Sequence, residues 1–135
     1  MNLINIIDFP SLGDERGGLI ALENNDSVPF EIKRVYCILD TKKGVSRGFH
    51  AHKALKQLAV CIAGSCHFIL DNGLEKEGIV LDSPLKGLII DKMIWRELHD
   101  FSEECVLLVL ASSCYDENDY IRNYNEFLKE VKNNA

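Results

Sequence analysis

Short apolar runs recur about every ten residues along this chain, each closed by a turn signal, and that rhythm restricts the fold more than any other feature. Residues 3–7, 18–23, 30–40, 55–63, 66–70, 74–81, 88–90, 93–98 and 106–111 are such runs, and 30–40 is rich in β-branched and aromatic side chains. Asp71-Asn72-Gly73 is a tight-hairpin signal between two of them. About ten short strands spaced this way predict an all-β sandwich or barrel. The period changes near the end. Tyr120, Ile121, Tyr124, Phe127, Leu128 and Val131 recur at helical spacing, with Glu117, Arg122, Asn123, Lys129 and Lys132 on the opposite face. The spacing predicts an amphipathic helix over about 116–131, packed on a barrel over about 1–112. A length of 135 residues fits one domain spanning 1–135.

The charge balance excludes several functions. A net charge of −6 with no basic block argues against nucleic-acid binding. An anionic small ligand stays open, because a few local arginines outweigh the global sign. No run of 18 apolar residues exists, so no membrane span is expected. MNLINIIDFP lacks a basic n-region and a small-residue cleavage site, and reads as a first strand. The five cysteines are odd in number and form no CxxC pair, which fits free, buried, reduced thiols in a cytoplasmic protein.

Candidate chemistry concentrates in residues 44–64, GVSRGFHAHKALKQLAVCIAG. His50 and His52 are two apart, so on a strand both imidazoles project to one face. Arg47 lies just upstream, and Tyr36 is flanked by apolar neighbours that favour an interior position. Such a pair either moves protons or binds a metal.

The spacing of Gly44, His50-x-His52, Gln57 and Gly64 resembles the first signature of the cupin superfamily, whose members are double-stranded β-helix, jelly-roll barrels. Metal-binding cupins carry Glu where this chain has Gln57. In the second signature Arg96, aligned on Trp95, stands where the third histidine ligand would be. Gln is a weak neutral ligand and Arg repels a cation, so no metal is expected.

A closer resemblance runs from GDERG at 13–17 through RGFHAHKALKQLAVCIAGSCHFILDNG, WRELHDFS and VLLVLASSCYDENDYIRNYNEF. These strings resemble the sugar-nucleotide 3,4-ketoisomerases, metal-free cupins acting on dTDP-4-keto-6-deoxyglucose. The resemblance implies that the keto group moves from C4 to C3 through an enediol, without a cofactor. It implies His50 as the base at C3, with His52 assisting the proton relay or holding the sugar. Arg47 and Arg96 would stabilise the enolate, and Tyr36 would bond a sugar hydroxyl or donate a proton. Arg16, Arg34, Lys53 and Arg122 are candidates for the diphosphate, and Trp95 for the pocket wall. The resemblance also implies a homodimer, often with exchanged N-terminal strands. Three alternatives stay open from the residues: a keto-sugar epimerase, a non-catalytic sugar-nucleotide-binding cupin and a metal-dependent oxygenase.

Overall fold

Short runs of β-branched and aromatic residues pair as antiparallel strands, and the computed structural model, which describes residues 3–134, carries ten of them among those residues. They are β1 (Asn5–Asp8), β2 (Arg34–Ile38), β3 (Arg47–His52), β4 (Gln57–Ala63), β5 (Cys66–Asp71), β6 (Lys76–Leu81), β7 (Lys86–Ile90), β8 (Trp95–His99), β9 (Val106–Ala111) and β10 (Tyr120–Ile121). One five-stranded sheet has the order β1-β7-β4-β9-β2 and the other β10-β3-β8-β5-β6. Apart from the β5–β6 hairpin, neighbours within each sheet are not consecutive in the chain. The strands therefore wind between the sheets as the double-stranded β-helix of a cupin, a jelly-roll barrel.

The inner faces of both sheets meet in one core. Ala59, Cys61, Phe68, Leu70, Leu88, Leu98 and Leu107 are all buried there. The outer face of β4 and β9, with Leu58, Val60 and Leu110, is covered by Phe9, Val28 and Phe30. β4 is thus buried on both faces from Gln57 to Cys61, which is why it reads as an unbroken apolar run.

Three expectations are corrected. Residues 18–23 form no strand. Ile20 and Leu22 pack against the Phe9–Phe30 cluster while Leu19 stays 55% exposed, so their alternation reflects lying over a sheet rather than pairing in one. The run over 30–40 pairs only as Arg34–Ile38, because the Asn24 side-chain carbonyl accepts the Ile32 N–H. The helix expected over 116–131 starts only at Tyr124. Glu117–Asp119 makes a 3-10 turn, and Tyr120 and Ile121 pair with His52 and Ala51 as β10.

The helix proper, α1, spans Tyr124–Asn133, and its N-cap Asn123 accepts the Glu126 N–H at 3.0 Å. Its buried Phe127 packs with Ala51, Trp95 and Ile121. Tyr124 donates its hydroxyl to Asp71 Oδ2 at 2.7 Å. The helix therefore braces Ala51, the residue between the two histidines.

Candidate active site

A β-bulge sets the site. Gly48 opposes Glu97 and His50 opposes Arg96, so the β3–β8 register slips at Phe49. Gly48 (φ 90°) and Phe49 (φ 59°) both take the left-handed region there. At Gly48 a Cβ would meet Arg96 O and Leu98 Cδ1 at 3.0 Å, so only glycine fits without a shift.

His50 lines a cavity of about 510 Å³ in the barrel. Part of the wall is apolar: Ile38, Ala59, Phe68, Ile90, Leu98, Leu107 and Val109. The polar part brings together Arg34, Tyr36, Arg47, His50, Gln57, Arg96, Tyr120 and Arg122. His52 lies beside it, against a smaller cavity of about 140 Å³ that shares Arg34 and Tyr120 with the first. The imidazole centroids of His50 and His52 are 5.0 Å apart and nearly perpendicular, and the Tyr120 ring sits 5.0 and 4.3 Å from them.

Arg96 is 2% exposed and, among the described residues, hydrogen-bonds only to neutral groups. Its Nη1 donates to Gln57 Oε1 at 2.5 Å, and Nε and Nη2 donate to the Ile94 carbonyl at 3.3 and 3.1 Å. Gln57 Nε2 in turn donates to the Tyr36 hydroxyl at 3.1 Å. Burial pushes Arg96 down to about 10, so it stays a cation at neutral pH. Burial, then the Arg96 charge, lowers His50 to about 4 and His52 to about 2. Burial raises Tyr36, against the opposing pull of Arg96. At neutral pH the site thus holds two neutral imidazoles, a protonated phenol and a buried cation.

Three buried polar atoms lack a hydrogen-bond partner among the described residues: His50 Nδ1, His52 Nε2 and Arg34 Nε. All three belong to residues of these two cavities. Native interiors rarely leave such atoms open except where a ligand or water completes them. The positions of the four usual cupin metal ligands hold two imidazoles, an amide and a guanidinium. That set suits an anion or an oxyanion far better than a divalent cation.

Other expected residues lie elsewhere. Trp95 is not a pocket wall: it is 4% exposed and stacks near Tyr124 and Phe127, with Nε1 donating to Glu97 Oε2 at 3.1 Å. Arg16 is exposed and paired with Asp14 outside the cavity. Lys53 is exposed and lines neither cavity. Tyr120 and Asp119 lie beside the histidines, yet the helical period puts Tyr120 on a helix face and gives Asp119 no signal at all. Asp119 Oδ2 lies 3.1 Å from His52 Nδ1.

Comparison with known proteins places this geometry. The family described as "FdtA: WxcM-like, C-terminal" matches residues 2–132. A TDP-4-oxo-6-deoxy-alpha-D-glucose-3,4-oxoisomerase from Aneurinibacillus thermoaerophilus is 53% identical over 126 residues, covering 93% of this chain and 91% of the relative. A 3,4-ketoisomerase from Helicobacter canadensis superposes with a TM-score of 0.93 at 50% identity, over 96% of this chain and 97% of the other. The sugar 3,4-ketoisomerase QdtA from Thermoanaerobacterium thermosaccharolyticum, in complex with TDP, gives a TM-score of 0.94 at 44% identity, over 98% and 96% of the two chains. A bulged HxH strand, a guanidinium in place of a metal ligand and these matches along nearly its whole length agree: the chain belongs to the FdtA family of sugar-nucleotide 3,4-ketoisomerases.

Proposed function

We propose that this protein is a dTDP-4-keto-6-deoxyhexose 3,4-ketoisomerase that works without a metal, through an enediol. The C4 carbonyl acidifies the proton on C3, and neutral His50 takes it. Charge develops on O4, where buried Arg96 stabilises it, with Arg47 at the same cavity. One such preorganised donor is worth about 3 kcal/mol. A proton returns to C4, while the O3 hydroxyl loses its proton as C3 becomes the ketone and O4 gains one. Tyr36 bonds the reacting oxygens, and His52 assists the hydroxyl proton's transfer. Arg34 and Arg122 receive the diphosphate. The apolar wall suits the unsubstituted methyl of a 6-deoxy sugar, because a hydroxyl there would lose its partners.

The observation that carries this reading is the pairing of His50, on the cavity wall, with a buried guanidinium that hydrogen-bonds only to neutral groups among the described residues. Base and oxyanion partner stand ready for a substrate that becomes an anion. Two copies acting as a homodimer belong to the same reading, supported by Leu12 and Leu19, exposed by 58% and 55% on the stretch after β1. Light scattering after gel filtration reads that assembly.

The test is incubation with dTDP-4-keto-6-deoxyglucose in deuterated buffer, followed by NMR. The expected result is a carbonyl at C3 and deuterium at C4. Deuterium at C3 and C5 with the carbonyl still at C4 makes the protein an epimerase. Binding with no exchange makes it a sugar-nucleotide-binding cupin.

A further inference from the structure

We propose that Asp119 is a positioning residue for this reaction: it holds His52 in the Nδ1–H tautomer, so that Nε2 stands as a proton acceptor beside His50 and Tyr120. The inference rests on the isomerase reading of the site.

The geometry at Asp119 is specific. The His52 side chain is 2% exposed, and its Nδ1 lies 3.1 Å from Asp119 Oδ2. A carboxylate only accepts, so the proton of this bond sits on Nδ1 and the lone pair on Nε2. Asp119 is itself fixed. Its Oδ1 accepts the Ala54 N–H at 2.9 Å, Oδ2 accepts the Leu55 N–H at 3.3 Å, and its backbone carbonyl accepts the Lys53 N–H at 3.0 Å. The three residues after His52 converge on the one carboxylate residue that also bonds its ring. The adjoining Tyr120 pairs with His52 across β10 and β3, so ring and carboxylate are held by the same ladder.

The other nitrogen is treated differently. His52 Nε2 is buried and has no partner among the described residues. A structural histidine would normally be bonded at both ends, since an open buried acceptor is costly. The isomerisation gives that open acceptor a task. Two protons move, one between C3 and C4 and one between O3 and O4. His50 takes the first. The second needs a group that accepts before it donates, which the Nε2 of a ring locked by Asp119 provides. Both transfers return the enzyme to its starting state.

The experiment reads the tautomer directly. In protein labelled with ¹⁵N-histidine, long-range ¹H–¹⁵N correlations at pH 7 are expected to show His52 protonated at Nδ1 and bare at Nε2. In Asp119→Asn the side-chain oxygen keeps the Ala54 N–H bond, while the amide N–H₂ takes the place of Oδ2, gives up the Leu55 N–H and faces Nδ1, so the tautomer flips. With it kcat is expected to fall on the order of 100-fold, while KM stays within about threefold. An Nε2–H or doubly protonated His52 in the wild-type protein overturns the inference. So does a flipped tautomer with kcat within about threefold of wild type, because Asp119 then serves only the fold. The wild-type spectrum needs no variant, so unfolding of Asp119→Asn leaves the tautomer decided. Wild-type protein that shows the Nδ1–H tautomer but does not turn over dTDP-4-keto-6-deoxyglucose sinks the isomerase reading instead. The two failures are therefore separate.

Discussion

Arg96 donates to the side-chain carbonyl of Gln57 at 2.5 Å inside a barrel that buries both residues. The partner is neutral, so the cation stays available to the substrate. Gln57→Glu places a carboxylate on Arg96 and spends its charge on an internal ion pair. Losing one preorganised donor is worth about 3 kcal/mol, so kcat is expected to fall on the order of 100-fold. Steady-state kinetics and a thermal melt check this. Unchanged kcat in a folded variant would show that the Arg96 charge plays no part in turnover.

The histidines predict a definite pH response. His50 and His52 are lowered in the folded protein to about 4 and about 2, chiefly by burial. In the unfolded chain they titrate at about 6.5. Below that pH the unfolded chain takes up protons that the native state refuses, so stability falls as pH falls. The contribution is fully present above pH 6.5, and is lost down to about 4 for His50 and about 2 for His52. Each histidine contributes a slope of about 1.4 kcal/mol per pH unit inside its window. Urea unfolding between pH 6.5 and 5 should show the decline, and His50→Asn should flatten it. For catalysis the base must be neutral, so kcat/KM should rise through pH about 4 and be level at 7.

Gly48→Ala tests the bulge. The new methyl would sit 3.0 Å from Arg96 O and Leu98 Cδ1, at a φ of +90° that favours glycine. The strain is of order 1–3 kcal/mol and falls two residues from His50. Denaturant unfolding should show that loss, and turnover should fall further than stability alone explains. A variant as stable and active as wild type would mean that β3 relaxes without moving His50.

The residues just discussed show which parts of this protein are legible in its sequence. His50 and His52 came from strand spacing, Arg47 from its place just upstream, Tyr36 from its apolar neighbours and Arg96 from standing at a metal-ligand position. Tyr120 and Ile121 obeyed a helical period, yet they pair with β3, because two residues are too short a run to show a period of two. The true helix start was written locally, in Asn123 three residues before Glu126. Asp119 meets His52 across 67 residues of chain, a contact that no local pattern encodes. Residues 18–23 alternate like a strand, since covering a sheet and joining one demand the same burial.

Trp95→Phe separates a wall of the site from a wall of the core. The indole packs with Tyr124 and Phe127 and donates to Glu97, away from the cavity lining. The substitution removes buried contacts and one hydrogen bond, and should destabilise by about 1–3 kcal/mol. kcat and KM should stay within about twofold, since no lining residue changes. A KM raised about tenfold would return Trp95 to the substrate.

Arg34 and Arg122 both line the cavity, and their surroundings rank them as diphosphate ligands. Arg34 stacks between Tyr36 and Tyr115, with its Cζ 5.1 and 5.7 Å from the ring centres, and its buried Nε is open. Arg122 lies 4.1 Å over Tyr120 and makes two bonds to Glu117 at 2.7 and 2.8 Å. A phosphate must displace Glu117 from Arg122, whereas Arg34 has only tyrosine faces to share. Lysine can neither stack as a plane nor fork two bonds, so each Arg→Lys change keeps charge and removes geometry. Calorimetric titration with TDP should show Arg34→Lys weakened about tenfold or more and Arg122→Lys by about threefold or less. Glu117→Gln should tighten binding slightly, because it frees the Arg122 fork. The opposite ranking, with Arg122→Lys the weaker binder and Glu117→Gln tightening binding strongly, would move the diphosphate to the Tyr120 side of the cavity mouth.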